Sequence, residues 1–119
     1  MVLAILDLGN LDFDDKKHQA NESNPCEISN RAELQKISKM LGVSMESLEK
    51  MLLFEKKVIL KEVTYKPYSK IGCFSNRNTL SKSLYNSIFE FIIYKVQLAL
   101  SLRNKDTLSS INLLDIFGF

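Results

Sequence analysis

The residues best suited to chemistry stand near the C-terminal end. An apolar run, Ile111 to Leu114, leads into Asp115, and Gly118 follows three positions later. A buried strand ending in a carboxylate delivers that group to the C-terminal edge of a sheet, where Mg²⁺-bound nucleotide sits in phosphate-binding α/β folds. The glycine lets the backbone approach a phosphate closely, with its amide free to donate. The same pattern also describes an ordinary turn, because strand-ending aspartates followed by glycine are common. No Gly-x-x-x-x-Gly-Lys-Ser/Thr phosphate loop occurs among Gly9, Gly42, Gly72 and Gly118.

The remaining reactive side chains point elsewhere. His18 is the one histidine and sits in a very polar stretch, which marks a solvated loop residue rather than a ligand or base. Cys26 and Cys73 lie far apart in sequence without metal-like spacing, as free thiols of a reduced compartment do. From Glu55 to Lys82, seven basic residues (Lys56, Lys57, Lys61, Lys66, Lys70, Arg77, Lys82) stand against two acidic ones, Glu55 and Glu62, a local charge of +5. Such a run is either a solvated face or a surface for an acidic partner. The whole chain carries only +2, too little to argue for nucleic acid or an anionic membrane.

The elements that must hold these groups follow from pattern. The 119 residues, 45% hydrophobic and 25% charged, fit one domain with material for a core. Val2 to Leu8 reads as the last turns of a helix, and Leu11 and Phe13 alternate with Asp12 and Asp14 as a very short strand. Residues 14–30 read as a solvated, variable surface loop. Ala32 to Leu41 forms an amphipathic helix through Leu34, Ile37, Met40 and Leu41, stopped by Gly42. Ser44 caps a second helix with Glu46 in its first turn and Leu48, Met51 and Leu52 on its apolar face. This pair is shaped like a DNA-reading unit, but Glu46, Glu49 and Glu55 would repel phosphate.

Lys57 to Tyr68 is β-favouring through Val58, Leu60, Val63 and Tyr65, and Pro67 ends it, which predicts an exposed β-ribbon or structured loop. A long helix is predicted over residues 75–102, with Leu80, Leu84, Ile88, Phe91, Ile92 and Val96 at three- and four-residue steps. Its second half is apolar nearly all round, so that half is expected to be buried in something large. A strand and turn are predicted over residues 110–119. Met1 to Leu8 lacks a basic start and a small-residue cleavage site. The run Ile88 to Leu100 contains Glu90 and Lys95 and is shorter than the roughly 20 residues that span a bilayer. The chain therefore reads as soluble and intracellular, without membrane insertion.

Four patches carry a family resemblance. Arg77-Asn78-Thr79-Leu80-Ser81-Lys82-Ser83-Leu84-Tyr85, with Ile88-Phe89 after it, resembles the myosin-head helix of pattern Arg-Asp-x-Leu-x-Lys-x-Leu-Tyr-x-x-Leu-Phe. Ile111 to Phe119 resembles the myosin strand that runs into switch II. Ile5-Leu6-Asp7-Leu8-Gly9-Asn10-Leu11-Asp12-Phe13 is similar to the family's Ile-Leu-His-Leu-Gly-Asn-Ile-x-Phe. Leu41-Gly42-Val43 with Leu48 fits its Leu-Leu-Gly-Val segment. The patches keep the family's order and cover nearly the whole chain. Asp7 stands where the family usually has His, and Asn78 where it has Asp. The end Asp115-Ile116-Phe117-Gly118-Phe119 resembles unconventional classes more than muscle-type heads.

The resemblance implies residues 1–119 as part of a motor domain, cut inside the switch II turn. The implied fold is mainly α with a short β-ribbon and one terminal strand, a fragment of the larger α/β P-loop motor fold from the upper actin-binding region into the central sheet. It implies that residues 56–70 are the actin-facing basic loop, with Lys56, Lys57, Lys61, Glu62, Lys66 and Lys70 toward the acidic filament. Glu62, sixteen residues before Asn78, falls at a position that myosins keep acidic or phosphorylatable. Asp115 is implied to hold Mg²⁺ through a water, Gly118 to meet the γ-phosphate by its backbone N–H, and Phe119 to be the next switch II position. The implied cofactors are ATP and Mg²⁺ of the complete motor. The implied partners are the actin filament, ATP and ADP, the rest of the motor domain, the lever arm and its light chains, with no nucleic acid. The implied place is the cytoplasmic actin cytoskeleton. Walker A is absent and switch I would lie upstream, so the isolated chain is expected to lack ATPase activity. The rival reading is a stand-alone helical interaction module without nucleotide chemistry.

Overall fold

An apolar segment without Pro, and without Gly before its last residue, opens the chain and forms α1 (Val2–Gly9), which buries Ala4 and Leu8 four residues apart on one face. The computed structural model describes residues 1–15 and 26–101. Residues 1–88 form one compact unit; of the second, Phe89–Phe119, residues 89–101 are described. After α1 the chain turns at Asn10, whose N–H donates to Asp7 O, and then Leu11 and Phe13 alternate into the core. β1 (Phe13–Asp14) pairs antiparallel with β2 (Glu27–Ile28), with Phe13 opposite Ile28.

The surface-loop reading of 14–30 needs correction at both ends. Asp14 and Glu27–Ile28 are paired strand residues, and Cys26 and Ile28 are buried. Asn30 explains this anchoring. Its Oδ1 accepts from Asp12 N at 3.0 Å, its Nδ2 donates to Asn10 O at 2.8 Å, and Ser29 N donates to Asp12 O at 3.0 Å. One amide side chain thus clasps the end of β2 to the α1–β1 connection.

α2 (Arg31–Leu41) buries Leu34, Ile37 and Ser38. It stops at Gly42, whose φ of 70° lies in the left-handed region that glycine enters without steric cost. Gly42 N donates to Lys39 O and Val43 N to Ser38 O, the paired bonds of a Schellman stop. α3 (Met45–Leu53) starts at Ser44, whose Oγ accepts from Ser47 N at 3.1 Å. It buries Leu48, Leu52 and Leu53. Met51, expected on that face, is exposed, because the helix turns Leu53 inward instead. Arg31 and Glu49 join the two helices by a two-pronged ion pair at 2.8 and 3.0 Å.

α3 passes directly into β3 (Phe54–Ile59), which pairs antiparallel with β4 (Glu62–Pro67). α4 (Lys70–Ser101) follows. It begins at Lys70 rather than Ser75, because Ser69 caps it: Ser69 Oγ accepts from Gly72 N at 3.2 Å and Ser69 O from Cys73 N at 2.8 Å. A side chain at Gly72 would crowd this start, since a Cβ there would lie 3.2 Å from Tyr68 Cβ. Within residues 1–88, Cys73 is fully buried, and Phe74, Leu80 and Leu84 pack on the core formed by Leu8, Leu11, Phe13, Ile28, Leu34, Ile37, Leu48 and Leu52. In residues 89–101, Phe89, Phe91, Ile92, Tyr94 and Val96 are exposed, where the sequence predicts burial. A helix apolar all round needs neighbours on every side, and the described residues do not supply them. The strand and turn expected over 110–119 lie outside the described residues, as does His18.

Candidate functional site

The hairpin of β3 and β4 is where the predicted basic ribbon falls. Val58, Ile59, Val63 and Tyr65 favour extended backbone, and Pro67 closes the ladder at a position opposite Phe54. Ile59 pairs with Glu62, so Leu60 and Lys61 alone make the turn. Both have positive φ, 49° and 75°, as a two-residue type I′ hairpin turn requires. Asn-Gly would adopt this geometry easily; for Leu60 and Lys61 the left-handed backbone costs about 1–2 kcal/mol per residue.

The register divides the ribbon into two faces. Glu55, Lys57, Ile59, Glu62, Thr64 and Lys66 share one; Phe54, Lys56, Val58, Val63, Tyr65 and Pro67 share the other. The expected filament-facing residues are therefore not one surface. Lys57, Glu62 and Lys66 stand together, Lys56 is on the opposite face, Lys61 is in the turn, and Lys70 lies beyond the hairpin at the start of α4. Glu55 and Lys57 form an ion pair at 3.4 Å on the charged face. Cross-strand pairing also sets Glu55 opposite Lys66. The tip is apolar as well as basic: Leu60 is 95% exposed, and Val58, Ile59 and Val63 are exposed around it.

Three arrangements hold the hairpin's base. Tyr68 N donates to Leu53 O at 2.8 Å. Asn76 Nδ2, from α4, donates to Met51 O at 2.7 Å and to Leu52 O at 3.3 Å, satisfying carbonyls at the end of α3. Lys50 Nζ sits 3.6 Å from the centroid of the Tyr65 ring. None of these partners is readable from local pattern, since each joins separate elements.

The motif residues have structural work of their own. Arg77 Nη1 donates to Leu11 O at 2.8 Å and to Gly9 O at 3.2 Å, tying α4 to the α1–β1 connection. Its Nε and Nη2 donate to Asn78 Oδ1 at 3.2 and 2.9 Å, and its guanidinium lies 5.0 Å from the Phe74 ring. Phe74 in turn meets Phe13 edge-on, with ring centroids 5.1 Å apart. Asp7 accepts from Lys36 Nζ at 2.8 Å, joining α1 to α2. That hydrogen bond to Asp7 is the main cause that pushes the Lys36 ammonium's pKa up.

Cys26 and Cys73, distant in sequence, are buried in the same core as free thiols. Burial pushes both up, Cys73 to about 12. At neutral pH they are protonated and poor nucleophiles. Among the described residues no group of three or more His, Cys, Asp or Glu is placed to hold a metal ion. Among them too, no helix is long and apolar enough to cross a membrane.

Residues 1–119 match the family model for the myosin head (motor domain). The chain belongs to the myosin head family. It is 35% identical over 125 residues to unconventional myosin-IXa of Mus musculus, covering all of this chain and 5% of that protein. It is 30% identical over 119 residues to human unconventional myosin-XV, covering all of this chain and 3% of that protein. Chitin synthase 8 of Mycosarcoma maydis is 34% identical over 119 residues, again along the whole chain and 6% of its own length. The chain thus spans about a twentieth of the length of the curated myosin-IXa proteins it matches. Myosin-head membership favours a motor segment over the stand-alone interaction module. Within that family, the departures at Asp7 and Asn78 are accommodated: Asp7 is paired with Lys36, and Asn78 accepts from Arg77. Asp115, Gly118 and Phe119 lie outside the described residues.

Proposed function

We propose that the chain is the filament-facing part of an actin-based motor that couples ATP binding and hydrolysis to movement along actin. The observation that carries the reading is a myosin-head chain whose extended hairpin, residues 54–67, exposes an apolar tip flanked by lysines. Leu60 offers apolar area, while Lys57, Lys61 and Lys66 attract an acidic filament surface. Lys56 and Lys70 add to the field from beside that face. Glu62 supplies a permanent carboxylate at the acidic position of the charged face, so no phosphorylation is needed there.

Asp115, Gly118 and Phe119 are proposed as switch II of the complete motor. Asp115 would hold Mg²⁺ through a water and Gly118 would donate its N–H to the γ-phosphate of ATP. The exposed side chains of residues 89–100 are proposed to face the rest of the motor domain. A lever arm with light chains and a place on the cytoplasmic actin cytoskeleton complete the reading. The isolated 119 residues are expected to be without ATPase activity.

The test is Glu62→Ala in a complete motor head that carries this segment. Actin activation of the ATPase is expected to weaken. Unchanged activation would overturn the assignment of Glu62.

A further inference from the structure

The hairpin's two faces are not equally free. Grooves of about 400 and about 640 Å³ run beside α3, and Lys50, Phe54 and Tyr65 line both. Phe54 and Tyr65 belong to the face of the hairpin that also carries Lys56, so that face is the one turned toward α3. Lys50 of α3 meets the hairpin at Tyr65, its ammonium 3.6 Å from the ring centroid. A cation centred over an aromatic face is attracted by the ring's quadrupole. A two-stranded ribbon is marginally stable without such support. Here the outer ladder residues are exposed on both faces, so the ladder has little core of its own.

We infer that Lys50 is a positioning residue: it clamps Tyr65, sets the inclination of the hairpin against α3, and so turns the Lys57–Glu62–Lys66 face outward toward a partner. The bearing on filament binding rests on the function proposed above. The clamp itself does not, and it is tested without filament.

The chemistry of the contact selects the variants. Lys50→Met keeps the aliphatic stem and removes the charge; Lys50→Arg keeps a cation that stacks on rings. Tyr65→Leu removes the ring, and Tyr65→Phe keeps it. Backbone relaxation of the full 119-residue chain reads the order of residues 56–66, and the Lys50 methylene shifts report the ring above them. Lys50→Met and Tyr65→Leu are expected to lower the hairpin order parameters from about 0.85 to below about 0.6, while those of α2 and α3 stay unchanged. The upfield ring-current shift of the Lys50 methylenes should vanish in Tyr65→Leu. Lys50→Arg and Tyr65→Phe should keep wild-type hairpin order. Wild-type hairpin order in Lys50→Met would overturn the inference, as would equal loosening in Lys50→Met and Lys50→Arg. Should Lys50→Met fail to fold, Tyr65→Leu decides by the same readings, because Tyr65 is a half-exposed residue outside the core.

Discussion

The core and the hairpin spend their apolar residues in opposite ways. Phe13, Leu34, Ile37, Leu48 and Leu52 are fully enclosed, and each is backed by residues from other elements. Val58, Ile59, Leu60 and Val63 are equally apolar and lie in the open. The core also satisfies its backbone economically, through the left-handed Gly42 stop and the clasps of Asn30, Asn76 and Arg77. The hairpin instead carries two non-glycine residues at positive φ in its turn. A folding sequence under no other demand would place Asn-Gly there. Strain and exposed apolar area at one tip are what a contact surface looks like when stability is not its purpose.

The contrast predicts unequal responses to truncation. Phe13→Ala removes a fully buried ring and its edge contact with Phe74, and should cost about 3–5 kcal/mol by urea unfolding. Val63→Ala on the hairpin should stay within about 0.5 kcal/mol. Comparable losses at the two sites would break the comparison.

Next in size is the Arg77 clasp. Arg77→Met keeps much of the stem but strips donors from Gly9 O and Leu11 O. The expected loss is about 1–3 kcal/mol. Protection of the α1–β1 amides from hydrogen exchange should fall with it. The thiol pair acts only at alkaline pH. Cys73 is raised from 9.0 to about 12, so the folded state holds that proton more tightly than the unfolded one. Its contribution is fully present below pH 9 and is lost as pH rises toward about 12. The slope there is at most about 1.4 kcal/mol per pH unit. Cys73→Ala should flatten the alkaline decline relative to wild type in paired thermal melts.

Much of the core was legible because its signals are local. Gly42 and Ser44 punctuate α2 and α3, and Leu34, Ile37, Leu48 and Leu52 keep helical spacing. The ribbon was legible from Val58, Val63, Tyr65 and Pro67, but its turn was not, since Leu60-Lys61 carries no turn chemistry. Register, and with it the separation of Lys56 from Lys57, Glu62 and Lys66, depends on where that turn falls. Asn30, Lys50, Asn76 and the Cys26–Cys73 pair were invisible for another reason: their partners lie on other elements, and spacing says nothing of tertiary contact. The start of α4 falls earlier than the spacing of Leu80 to Val96 indicates, because Ser69 caps it and Gly72 lets the helix begin against Tyr68. The motif Arg77 to Tyr85 identified the family before its arginine had a physical role.

The most direct test of the central claim, that the hairpin tip is built for contact at the expense of stability, is a double substitution in a complete motor head carrying this segment. Leu60→Asn with Lys61→Gly relieves the left-handed backbone and removes both the exposed leucine and a positive charge. Filament affinity, measured by co-sedimentation with actin, is expected to fall about tenfold, equivalent to 1.4 kcal/mol, while thermal stability holds or rises. Undiminished affinity for the filament would contradict the account.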